Sequence, residues 1–244
     1  MPAGGAGDDP AAAVAADDSD LRVALVHGGP RMDLSAICKF ANQLTAEGYQ
    51  VKFFTADAHV AFVRRCGFDA AGCCHQQFGL WADHGPDGEV ALRKELPLLW
   101  MALDTFDPQM VIFGGGQEFT APHYALVRGI PAIRIRFNAM LPTGEAFPDG
   151  KPVLDGNGDA AWGIWFHLFD VYAIPSIQRN TRIAQEALGF DFSAYEVPLI
   201  RWHREMLFGT ADAGNDRIVP VQLCACSGRF FSRPKDWQVL ALMT

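Results

Sequence analysis

From Leu21 onward the chain alternates two patterns of apolar residues. Short unbroken apolar runs are bounded by glycine or polar clusters, as buried strands are. Between them, apolar residues recur at helical spacing. "LRVALV" reads as a first strand, and Asp33 to Glu47 as a helix with Leu34, Ile37, Ala41 and Leu44 on one face. Gly48 marks its end, a common residue just past a helix. "QVKFFTA" is a second strand and "AHVAFVRRCGF" a short helix closing at Gly67. Asp69 to Gly88 reads as loop. "EVALRKELPLLWMALDTF" is helical, with Pro97 as a kink or break. "QMVIFGGG" is a strand running into glycines, "FTAPHYALVRG" a helix, and "IPAIRIRFN" another strand.

This order predicts an α/β fold, a parallel sheet flanked by helices in the Rossmann-like manner. In such sheets ligands bind outside the carboxyl ends of the strands. "HGGPRMD", "GGGQEF" and "FNAMLPTGEAFP" should therefore border one crevice. Past Pro148 the texture changes: "DGKPVLDGNGD" is a loop, and Ala160 to Leu188 is a long helix interrupted near Pro175. Trp162, Trp165, Phe166, Phe169 and Tyr172 form a stripe on it. Such a stripe packs a core or lines an apolar cleft. "IVPVQLCACS" is a last strand, and no internal repeat is visible.

Composition narrows the function classes. The net charge of −8 gives no electrostatic footprint for nucleic acid. The longest apolar stretch, "AAWGIWFHLFDVYAIP", is broken by His167, Asp170 and Pro175, and a bilayer span needs about 20 residues. Residues 1–20, small and acidic, read as a disordered tail without the basic start of a signal peptide. The expected location is the cytoplasm, with peripheral membrane contact at most. The six cysteines read as reduced thiols. "CCH" and "CAC" lack the spacing of a zinc site, so no metal is expected.

The chemistry centres on Asp33, at the mouth of the first helix. Three readings stay open. A nucleotide site needs G-x-G-x-x-G, and only Gly28 and Gly29 stand there, although Asp57 sits where a ribose-binding acid would. An N-cap role fits the residue type. A general base taking a proton from an attacking hydroxyl fits the position.

The segment "GGPRMDLSAICKFANQLTAEGYQV" resembles the opening of the GT-B nucleotide-sugar glycosyltransferases, G-T-R-G-D-V-x-P followed by an apolar helix and G-H-x-V. Counted back from Gly48, Arg31 falls on the family's arginine and Asp33 on its catalytic aspartate; Met32 replaces a glycine and Ala36 the proline. "HYALVRGIPAIRI" is similar to the family's helix into G-I-P and strand. "LPTGEAFP" and "IQRNTRIAQEALGFDF" resemble segments of the sterol-glucosyltransferase branch. "CSGRFFSRPKDWQVLALMT" resembles the family's closing S-x-x-x-x-P-x-P-x-D-W motif.

The resemblance implies that residues 21–244 form the N-terminal, acceptor-binding half of a GT-B fold, with the C-terminal donor domain absent. It implies an inverting transfer of a hexose from a UDP-sugar to a sterol or other lipid-like hydroxyl, with no cofactor. Asp33 would be the base, and Gly28, Gly29 and Arg31 would lie near the donor. By position, Gln117, Glu118, Phe119, His123, Phe137, Met140, Phe147 and Trp165 are acceptor-pocket candidates. Glu118 reads equally as a helix-start acid. Two other classes compete: a binding subunit that pairs with a separate donor-domain chain, and an NAD(P)-dependent oxidoreductase.

Overall fold

The computed structural model describes residues 21–73, 85–136, 158–208 and 221–224. Six parallel strands form one sheet in the order β3-β2-β1-β4-β5-β6. They are β1 (Arg22–His27), β2 (Gln50–Thr55), β3 (Asp69–Gly72), β4 (Met110–Gly114), β5 (Ala132–Arg136) and β6 (Val221–Cys224). Helices follow the strands: α1 (Arg31–Ala46), α2 (Asp57–Arg65), α3 (Gly85–Phe106), α4 (Ala121–Arg128), α5 (Gly158–Leu168), α6 (Ile174–Leu188) and α7 (Glu196–Phe208). The order reverses between β1 and β4, the point where doubly wound sheets open a crevice.

The central strands are apolar because both their faces are covered. On one face Leu25, Phe53 and Ile112 pack with Leu34, Ile37 and Ala41 of α1 and Val63 of α2. On the other, Val26, Phe54, Val111 and Phe113 pack with Leu92, Leu96 and Leu99 of α3 and with Tyr124, Ile177, Ile183 and Trp202. Part of the aromatic stripe joins this second layer, while Tyr172 is 54% exposed. Phe169 is fully buried and Trp165 is 7% exposed. Phe166 stacks on Phe208 with centroids 4.4 Å apart.

Two local expectations change, and a third gains detail. Asp69 to Gly88 is not all loop, since Asp69–Gly72 pairs in parallel with Lys52–Thr55 as the edge strand. "DAAG" carries no β-branched or aromatic residue, so its extended state comes from that pairing and not from propensity. Pro97 lies inside the continuous helix α3. The interruption near Pro175 is a π-helical turn, Phe169–Ala173, just before it. Pro175 has no N–H for the carbonyl one turn back, and its ring crowds that carbonyl, so a widened turn accommodates it.

Candidate functional site at the switch point

The strand ends at the reversal are built from glycines. β1 runs into Gly28 and Gly29, and β4 into Gly114, Gly115 and Gly116. What they leave room for is the imidazole of His27, at the end of β1 and 1% exposed. A Cβ on Gly29 would stand 2.5 Å from His27 Cε1, and one on Gly115 would stand 2.6 Å from the same atom. Gly115 also has φ +59, a left-handed conformation that glycine adopts without strain.

His27 is fixed by its neighbours. Its Nδ1 accepts the Gly29 N–H at 3.1 Å. Its carbonyl accepts the Thr55 hydroxyl at 2.8 Å, which ties the end of β1 to the end of β2. Burial pushes its pKa down from 6.5 to about 4, partly offset by nearby Glu118, so the ring is neutral at pH 7. With Nδ1 accepting, the neutral ring carries its proton on Nε2. That nitrogen faces Asp33 Oδ2 at 3.8 Å.

Asp33 lies in the first turn of α1, two residues inside the helix. The N-cap is Pro30, in extended conformation and with no side-chain cap hydrogen bond, so Asp33 is not the cap. The carboxylate still stands at the positive end of the helix. Its side chain is 24% exposed. Partial burial raises its pKa above the ordinary aspartate value of 3.8. A carboxyl group that is reachable, and more basic than usual, has the properties a general base needs.

The remaining candidates spread out from this pair. Arg31 extends away toward α2, its guanidinium 4.6 Å from the ring centroid of Phe62. Glu118, in the turn before α4, forms a buried ion pair with Arg134 of β5. The first turn of α4 itself carries no acid, so Glu118 does not act as a helix-start residue. Gln117 is fully buried and accepts the Thr120 hydroxyl at 2.6 Å. Phe119 is buried against His203 of α7, with centroids 6.2 Å apart. His123 is fully buried, its Nε2 3.1 Å from the Thr181 hydroxyl of α6. Trp165 sits in the α5 layer. Phe137, Met140 and Phe147 lie outside the described residues. The structure thus brings Asp33 to the glycine loop and puts Gln117, Phe119 and His123 into the interior beneath it.

His27 and His203 are absent from the sequence-derived list. The signal for His27 was a histidine preceding two glycines at one strand end, opposite three more at the neighbouring strand end. His203 carries no such signal.

Asp57 bears on the nucleotide reading. Its carboxylate packs over the end of β3: a Cβ on Gly72 would stand 1.7 Å from Asp57 Oδ1. The ring of His27 occupies the space above Gly29 where a dinucleotide fingerprint brings backbone close to pyrophosphate. A separate shallow groove of about 600 Å³ lies between α3 and α6, lined by Trp100, Met101, Asp104 and Leu188 among others, and no sequence-derived candidate lines it. No helix among the described residues is long and apolar enough to cross a membrane.

No protein-family model matches the sequence, and no curated protein matches it either. Solved structures do match by fold. The glycosyltransferase VinC, in complex with dTDP, superposes with a TM-score of 0.51 at 15% identity, over 91% of this chain and 52% of VinC. The glycosyltransferase of kitacinnamycin gives 0.47 at 16% identity over 90% of this chain and 49% of its own. SsfS6 from Streptomyces sp. SF2575 gives 0.46 at 13% identity over 86% and 52%. The fold is the Rossmann-like α/β fold of a GT-B glycosyltransferase domain. The chain spans about half the length of these structures.

Proposed function

We propose that this chain is the acceptor-binding domain of an inverting glycosyltransferase, with Asp33 as its general base. The observation that carries the proposal is the placement of Asp33. It is a partly exposed carboxylate, more basic than usual, at the carboxyl end of β1 beside the switch point of a GT-B-type sheet. The acceptor hydroxyl gives its proton to Asp33 as its oxygen bonds to the anomeric carbon. The bond from that carbon to the nucleoside diphosphate breaks on the opposite face. Positioning of the two substrates supplies much of the rate.

The donor is a UDP-hexose, held mainly by a second domain, and the acceptor a sterol or other lipid-like alcohol. The sequence segments similar to the sterol branch support that choice. Gly28 and Gly29 line the donor side of the loop. Arg31 reaches the donor by leaving Phe62. Gln117, Glu118, Phe119, His123 and Trp165, with Phe137, Met140 and Phe147 from the sequence after β5, are the acceptor-side candidates. A second reading is a binding subunit that works with a separate donor-domain chain.

The test measures transfer from radiolabelled UDP-glucose to a sterol panel by the full-length enzyme or reconstituted pair. Sterol binding to this chain is followed by tryptophan fluorescence. Transfer that is lost in D33N supports the proposal. Binding without transfer in any reconstitution supports the binding-subunit reading. Saturable binding of NAD(P), with neither sterol binding nor transfer, overturns both.

A further inference from the structure

We infer that His27 is a positioning residue for Asp33, its Nε2–H holding the carboxylate in the orientation that meets the acceptor hydroxyl. The inference rests on the reading of Asp33 as the base.

Three observations carry it. First, the ring is locked. Gly29, Gly114 and Gly115 surround it so closely that an added Cβ would stand 2.5, 3.3 and 2.6 Å from its carbons. Second, its tautomer is set, because Nδ1 accepts the Gly29 N–H and leaves the proton on Nε2. Third, Nε2 faces Asp33 Oδ2 at 3.8 Å. That distance exceeds a formed hydrogen bond. Bonds in unliganded catalytic sites are often long and tighten when substrate arrives.

The other ionisable groups near His27 come from two further elements: Glu118 from the turn after β4, and His59 from α2. Glu118 favours the charged imidazole and His59 disfavours it, while burial outweighs both and keeps the ring neutral. A neutral donor suits this task. It steadies the carboxylate without making a tight ion pair that would quench its basicity.

The experiment is a carboxyl-carbon NMR titration of the chain labelled with ¹³C-aspartate, with the Asp33 signal assigned by its loss in D33N. Loss of the donor in H27L raises the Asp33 midpoint by about half a pH unit, because the carboxylate loses a favourable dipole. H27Q retains an N–H near the same place and returns the midpoint toward wild type. In the transferase assay, H27L lowers kcat with little change in KM for the acceptor, and the acid limb of the rate profile moves to higher pH. Identical Asp33 midpoints in folded wild type and H27L overturn the inference. So does an equal shift in H27L and H27Q, which would assign the effect to packing. The titration needs no turnover, so the shift in this chain together with a full-length enzyme that transfers no sugar keeps the pairing and loses the transferase reading.

Discussion

Glu118 and Arg134 form an ion pair buried beneath the crevice, with side chains 8% and 1% exposed. They come from the turn after β4 and from the adjacent strand β5, so the pair ties the GGGQEF turn to the sheet. Burial lowers the Arg134 pKa, and Glu118 opposes that shift. Removing one partner strands the other charge, which costs about 3–5 kcal/mol. R134M should therefore lose about that much in urea unfolding. The double variant E118L/R134M should recover most of it, because an apolar replacement of a buried pair is often neutral. An R134M chain as stable as wild type would show that Glu118 reaches water.

The glycine loop yields a comparison between two left-handed glycines. Gly115 and Gly129 have similar φ, +59 and +66, but a Cβ on Gly129 meets nothing within 4 Å. On Gly115 it would stand 2.4 Å from the Gly29 nitrogen. G129A should cost about 1 kcal/mol for conformation alone. G115A adds a clash with backbone and with the His27 ring, and should cost about 2–3 kcal/mol. Urea midpoints measure both. Equal losses would mean that the two glycine turns do not touch.

The sheet was legible because its central strands are short apolar runs between helical periods. "RVALVH" and "MVIFG" have the continuous apolar pattern of strands buried on both faces of a parallel sheet. β3 was not legible: Ala70 and Ala71 have no strand preference, and only the neighbouring β2 makes them one. Of the three readings left open for Asp33, the cap could not be excluded from the sequence, because cap preference cannot separate the N-cap from the third helical residue. Pro30 holds the start instead. His27 stayed hidden for a different reason. The sequence shows five glycines at two strand ends, but only the sheet order sets those ends side by side with a ring between them.

Among the described residues, three buried histidines make stability depend on pH. Burial lowers His27 and His123 from 6.5 to about 4, and lowers His203 well below 6.5, helped by Arg134 and His123. The unfolded chain takes up protons at these residues below pH 6.5, and the folded chain refuses them until about 4. Stability should thus be fully present above 6.5 and fall as the pH drops toward 4, by about 2 kcal/mol at pH 5 for each of His27 and His123. Asp33 works in the opposite direction. Its raised pKa lets the folded chain hold a proton that the unfolded chain has released, a smaller effect at a partly exposed group. Urea unfolding at pH 7.5, 6 and 5 gives the slope. H123Q, which keeps a partner for Thr181, should flatten it by one proton. A flat stability profile in wild type would mean that these rings are hydrated.

Replacing Asp33 separates function from fold. D33N removes the charge and keeps the shape, and the side chain holds no helix cap whose loss would unfold α1. The first-turn acid contributes about 0.3–1 kcal/mol through the helix dipole. Relief of carboxylate burial offsets part of that. Stability should stay within about 0.5 kcal/mol of wild type. Transfer should fall by at least the roughly 10²–10⁴-fold contribution of a positioned base. Because Asp33 acts on the acceptor proton and not on acceptor affinity, sterol binding to D33N should match wild type. A D33N enzyme that still turns over near the wild-type rate would remove Asp33 as the base, and a D33N chain that no longer binds the acceptor would make it a binding group instead.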